Sequence, residues 1–186
     1  EVADITKWTN FLEEKVKKAK KIRVTSPAGT DFEFEPLVGQ PILGIIPCYG
    51  EIAIMPKFGS GNGVVVVDGP TQLKVRPADE TDREPLVINV KDGLVTGFTG
   101  DAEQVARLDA YIHSQTPPAT SIDEVGIPTT RVEANNLYCW PDKTHNGNTI
   151  HIALGNNELR SDIVHGKLHI DTEIINPTLY IDGEIV

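Results

Sequence analysis

Cysteine is nearly absent: Cys48 and Cys139 are the only two among 186 residues. Two thiols so far apart make neither a disulfide framework nor a zinc knuckle, and a reduced, cytoplasmic setting is expected. Positive charge is also short, with 17 Lys and Arg against 27 Asp and Glu and a formal net charge of −10. A phosphate-binding face needs a basic patch, so no nucleic-acid partner is expected. The one basic cluster, from Lys15 to Arg23, lies beside Glu13 and Glu14 and reads as the solvated face of a helix. No apolar run reaches the ~20 residues of a membrane-spanning helix. The N-terminus lacks the apolar segment of a signal peptide. A soluble chain without a membrane partner is the expectation.

What is present suits one domain over residues 1–186. Hydrophobic residues make up 39% and charged residues 24%, enough for a core and too apolar for disorder. Ile5, Trp8, Phe11, Leu12, Val16 and Ala19 recur at helical spacing and predict a helix over residues 3–20. Beyond Lys21 the texture turns to short β-type runs between Gly and Pro turns: Ile22–Val24, Phe32–Phe34, Ile42–Ile46 and Gly63–Val67. Leu86–Val90 and Leu94–Phe98 flank Asp92-Gly93, a hairpin signal, and Thr178–Ile181 runs into a second at Asp182-Gly183. Val105, Leu108 and Ile112 form a helical stripe over 101–113, with Asp101 as its cap. Ile150–Leu154 and Leu168–Ile170 complete the strands. Two segregated helices among runs of strands predict an α+β fold built on a mostly antiparallel sheet. The many strand edges of such a domain favour a homodimer.

Four of the five histidines, His145, His151, His165 and His169, fall in the last quarter of the chain. His169 and Asp171 are two apart on a strand, so both point to one face and can offer an imidazole and a carboxylate to one cation. The same spacing also fits a solvent-facing strand. His151 alternates with Ile150 and Ile152, which aims its ring at solvent, at a site, or at a satisfied core position. Glu51 follows Gly50 into an apolar strand, and Glu124 sits in Ile122-Asp-Glu124-Val-Gly126-Ile-Pro128. Carboxylates in such surroundings need partners when buried; each is equally a strand-edge residue in water. Gly59-Ser-Gly61-Asn-Gly63 lacks the Lys-Ser/Thr and helix start of a phosphate loop and reads as a mobile loop or site rim. His145 reads as a turn residue, and His165 as a surface or supporting one.

In order, Gly50-Glu51 with Pro56, Asp123-Glu124-Val-Gly126-Ile, Thr149-Ile-His151-Ile-Ala-Leu-Gly155 and His169-Ile-Asp171 resemble the C-terminal, metal-binding half of the aminopeptidase T family. Arg23-Val-Thr-Ser-Pro-Ala-Gly-Thr-Asp31 resembles the strand ahead of that region. The resemblance implies a metallo-aminopeptidase whose N-terminal α/β domain lies outside this chain. Glu51, Glu124, His151, His169 and Asp171 are its implied ligands for two divalent ions, Zn²⁺, Co²⁺ or Mn²⁺. A metal-activated water would then attack the N-terminal bond of a small peptide, with Glu124 sharing ligation and general-base work. Family aminopeptidases carry a tyrosine shortly after the first of these histidines; here Asn156-Asn157-Glu158-Leu159 stands there.

The resemblance extends to 2,5-dihydroxypyridine dioxygenases, which act on a small aromatic substrate with one Fe(II). Their facial triad would map to His151, His169 and Asp171, with a histidine expected where this chain has Glu124. A third expectation is a non-catalytic fragment that dimerises.

Overall fold

The structure, a computed structural model, describes residues 2–37, 50–69, 84–115, 120–130, 148–155 and 168–186. Helix α1 (Val2–Val16) leads into β1 (Ile22–Thr25), β2 (Asp31–Phe34), β3 (Glu51–Ile54), β4 (Asn62–Val67), β5 (Leu86–Lys91) and β6 (Leu94–Thr99). Helix α2 (Ala102–His113) follows, then β7 (Ile122–Pro128), β8 (Thr149–Gly155), β9 (His169–Ile175), β10 (Thr178–Ile181) and β11 (Glu184–Ile185). Every described strand pairing is antiparallel. The strands form a seven-stranded sheet, β11-β10-β1-β2-β4-β5-β6, and a four-stranded sheet, β3-β7-β8-β9. The α+β expectation holds.

Both hairpin signals act through backbone geometry. Asp92 and Gly93 take φ of 52° and 75°, and Asp182 and Gly183 take 50° and 88°. That left-handed pair matches the twist of the strands it joins, and Asp-Gly adopts it at little cost. Helix α2 begins where the sequence places it, with Asp101 Oδ1 accepting the Gln104 N–H at 2.9 Å. Asp101→Ala is expected to lower stability by about 1 kcal/mol, read from chemical denaturation; an unchanged midpoint would remove the cap from the account.

Helix α1 ends at Val16, four residues short of the predicted 20. There the ladder tightens, with Lys18 N–H on Lys15 O and Ala19 N–H on Val16 O. Asp182 Oδ1 then accepts the N–H groups of Lys20 and Lys21, each at 2.9 Å, and turns the chain into β1. Leu12, Val16 and Ala19 are buried as the pattern requires, whereas Trp8 and Phe11 stay exposed and stack on each other at 5.3 Å. The Gly59–Gly63 segment is a tied turn. Ser60 Oγ donates to Lys57 O, and Gly93 N–H donates to Gly61 O at 2.7 Å. The run Ile42–Ile46, both cysteines, His145, His165 and Asn156–Leu159 lie outside the described residues.

One apolar core joins the two sheets. Val24, Phe32, Phe34, Val65 and Ile88 enter it from the larger sheet, Ile52, Val125, Ile127, Ile152 and Ile174 from the smaller, and Leu12, Leu108 and Ile112 from the helices. Strand alternation therefore commits the remaining residues of the smaller sheet to its opposite face.

Candidate metal centre

That opposite face collects the charged residues. Glu51 opposes Pro128, Ala53 opposes Gly126, Gly126 opposes His151, and His151 opposes Glu173. Asp171 opposes Ala153, which in turn opposes Glu124. The side chains of four strands thus form a row of acids and an imidazole, separated by residues no larger than alanine or proline.

A backbone irregularity brings Glu124 into this row. Ile122 and Glu124 are two residues apart, so in a regular strand they would share a face. The register slips between them: Ile122 pairs with Leu154 on the core face, while Glu124 pairs with Ala153 on the other. Asp123 is the extra residue of this β-bulge, buried, with Ser121 Oγ–H donating to its Oδ1 at 2.9 Å. Bulges commonly re-aim a side chain in this way beside functional sites.

Three of the predicted ligands converge. His151 Nε2 lies 2.9 Å from Glu51 Oε1 and 3.3 Å from Glu124 Oε1. One ligand atom from each of the three falls within 4.8 Å of the other two. Gly126 makes the convergence possible. A Cβ there would overlap Cε1 and Nε2 of the His151 ring and press on Glu51 Oε1. His151 is 2% exposed, and burial by itself pulls its pKa down; the hydrogen bonds with Glu124 and Glu51 outweigh that and hold it well above 6.5.

This donor set fits a cation. An Nε2–H directs its proton along one axis, whereas two carboxylate oxygens stand at this nitrogen. A tetrahedral ion with bonds of ~2.0 Å spaces its ligand atoms about 3.3 Å apart, comparable with the two distances here. Two carboxylates and an imidazole suit hard-to-borderline divalent ions.

The other two predicted ligands pair with each other on the same face. His169 Nε2 is 3.0 Å from Asp171 Oδ1, and that bond, with Glu124 and Asp123 contributing, raises the His169 pKa. Asp171 is buried and the His169 side chain is 37% exposed, so the pair runs from the site face toward solvent. The structure thus gathers Glu51, Glu124 and His151 into one cluster and sets His169 and Asp171 beside it.

One charged residue of the face escaped the sequence reading. Glu173 continues the alternation of His169 and Asp171, which is the signal that points to it. It is 0% exposed, with Oε1 3.8 Å from His151 Nδ1, and burial raises its pKa well above 4.5.

Residues 3–186 match the family model described as NicX: 2,5-dihydroxypyridine 5,6-dioxygenase. The chain belongs to this family. Among solved structures, this NicX-family chain is similar to the 2,5-dihydroxypyridine dioxygenase of Pseudomonas putida KT2440. Identity is 19% and the TM-score 0.71, over 98% of this chain and 57% of that one. It is also similar to wild-type AmpT from Thermus thermophilus, with 14% identity and a TM-score of 0.58, over 100% of this chain and 53% of that one. The chain therefore spans somewhat more than half the length of each, and at these identities the likeness is one of fold. No curated protein matches. The motifs of the sequence resemble the aminopeptidase T family first and the dioxygenases second. The family match reverses that order, and the comparisons relate the chain to both without assigning it to either protein's C-terminal half. Among the described residues no helix is long and apolar enough to cross a membrane.

Proposed function

We propose that this chain carries the metal centre of an oxygen-dependent, ring-cleaving enzyme acting on a small hydroxylated N-heteroaromatic compound such as a dihydroxypyridine. The match to the NicX family over residues 3–186 carries this reading. The cluster of Glu51, Glu124 and His151 supports it. These three would hold one Fe(II), with His169 and Asp171 available to complete its coordination. When bound, the iron would supply the redox chemistry with dioxygen.

The chain's own residues set the conditions for that chemistry. Glu51 and Glu124 offset the charge of a divalent ion. Burial of His151 and Glu124 excludes water and strengthens every electrostatic interaction at the cluster. His169, the most exposed of the five, lies where a substrate entering from solvent would meet the site. Asp171 Oδ1 holds its Nε2 edge, and an N–H of this imidazole would be available to hydrogen-bond a deprotonated ring hydroxyl of the substrate.

A second reading, a two-metal hydrolase of the aminopeptidase type, is favoured by one observation. Glu124 stands where the dioxygenase resemblance implies a histidine, which gives an acid-rich donor set suited to Zn²⁺, Co²⁺ or Mn²⁺. Metal analysis of protein reconstituted without oxygen separates the two. The dioxygenase reading expects one equivalent of iron and dioxygen uptake with 2,5-dihydroxypyridine. Two equivalents of zinc or cobalt with turnover of a leucyl arylamide would replace it with the hydrolase.

A further inference from the structure

We infer that Glu173 is a positioning residue for the metal centre: its carboxyl faces Nδ1 of His151, favours a proton on that nitrogen and so leaves Nε2 to the cation. The inference rests on the reading of Glu51, Glu124 and His151 as a metal site.

The geometry places the three carboxyl groups on two sides of one ring. Glu51 and Glu124 stand at Nε2, at 2.9 and 3.3 Å. Glu173 stands at Nδ1, at 3.8 Å, from the position directly opposite on β9. A neutral imidazole has one N–H and one lone pair. If the proton sat on Nε2, the ring would offer no lone pair to a cation held by the two glutamates. A carboxylate facing Nδ1 favours the tautomer that carries the proton on that nitrogen and leaves the lone pair on Nε2. Ligating histidines commonly give their second N–H to such an acceptor, which fixes the ring and raises its basicity.

The chain holds Glu173 firmly. Gly69 N–H donates to Glu173 O at 3.1 Å, and Asp68 Oδ1 accepts the Ile175 N–H at 2.8 Å, so the two residues after β4 tie β9 at Glu173 and again two residues on. Gly69 lies so close that a Cβ on it would come within 2.6 Å of Glu173 Cβ. A 0%-exposed glutamate is expensive to bury even with the Thr149 side chain hydrogen-bonded to its carboxyl, and an apolar residue of similar size would avoid that desolvation. Stability alone does not account for it; orientation of the ring does.

The test compares Glu173→Leu and Glu173→Gln with the unaltered 186-residue chain. Zn²⁺ and Co²⁺ are titrated by calorimetry and by the cobalt absorption spectrum, and metal-free melting is recorded for each. Leucine removes the acceptor and should weaken binding about 10- to 100-fold, while the metal-free melting temperature stays level or rises. Glutamine keeps an acceptor oxygen and should recover much of the affinity. Nitrogen NMR of the metal-loaded unaltered chain should show His151 protonated at Nδ1. A Glu173→Leu affinity equal to that of the unaltered chain would overturn the inference, as would a Gln variant no better than Leu. Glu124→Gln separates the two levels. If it abolishes binding while Glu173→Leu does not, only the role of Glu173 fails. If the unaltered chain binds neither ion, the metal site fails, and the inference with it.

Discussion

Gly126→Ala is expected to abolish tight metal binding while leaving the chain folded but less stable. The added methyl would occupy the space of the His151 ring edge and of Glu51 Oε1. The ring cannot withdraw, because β8 lies between β7 and β9 and His151 is bounded by Glu173 on its far side. Overpacking of this kind costs about 1–3 kcal/mol. In a chain this size that is a fall in melting temperature of roughly 2–12 °C. The larger effect is on the site, since donor atoms that now converge would be pushed apart. Gly97→Ala on β6 is the control: nothing lies within 4 Å of its Cβ position, so both melting and metal binding should be unaffected or slightly improved. Zinc titration of the two variants decides the matter. Binding by the Gly126 variant as tight as the parent's would show that this glycine is not what makes room for the site.

His151→Ala should have the largest effect on stability. In the metal-free protein the imidazole, its pKa well above 6.5, is the positive partner shared by Glu51 and Glu124, with Glu173 facing its other nitrogen. Removing it leaves three crowded acids, of which Glu124 and Glu173 are buried. Breaking a buried ion pair from one side costs about 3–5 kcal/mol, roughly 6–20 °C of melting temperature for a chain of this length. Adding a divalent ion should no longer raise the melting point. In the parent, an ion at a hundred times its Kd should contribute about 2.7 kcal/mol. A His151→Ala protein that melts like the parent, or still gains from zinc, would mean that the three carboxylates do not depend on this ring.

Local spacing and turn chemistry already define the elements and most of their ends. The Asp-Gly pairs at 92–93 and 182–183 dictate tight hairpins because few other residues tolerate two consecutive positive φ values. The stripe of Val105, Leu108 and Ile112 and the cap at Asp101 define α2, because a helix needs an apolar face and a partner for its first N–H groups. Alternation in the Ile150–Leu154 run placed His151 opposite its isoleucine neighbours, and alternation placed His169 with Asp171. The exit of α1 was not legible, because Asp182 stops it from more than 160 residues away in sequence.

Which acids meet the imidazole depends on the pairing of strands far apart in sequence. Read with a period of two, Glu124 shares a face with Ile122 and belongs in the core; the bulge at Asp123 turns it to the other side. No local signal marks that bulge, since it arises from the pairing of β7 with β8. Gly126 looks like one more strand glycine until Ala53 and His151 are aligned on either side of it. Glu173 completes the alternation of His169 and Asp171, yet its role follows from lying opposite His151 on the neighbouring strand. Spacing along a strand says which way a side chain points. Register between strands says what it meets, and register is set by the packing of the whole sheet.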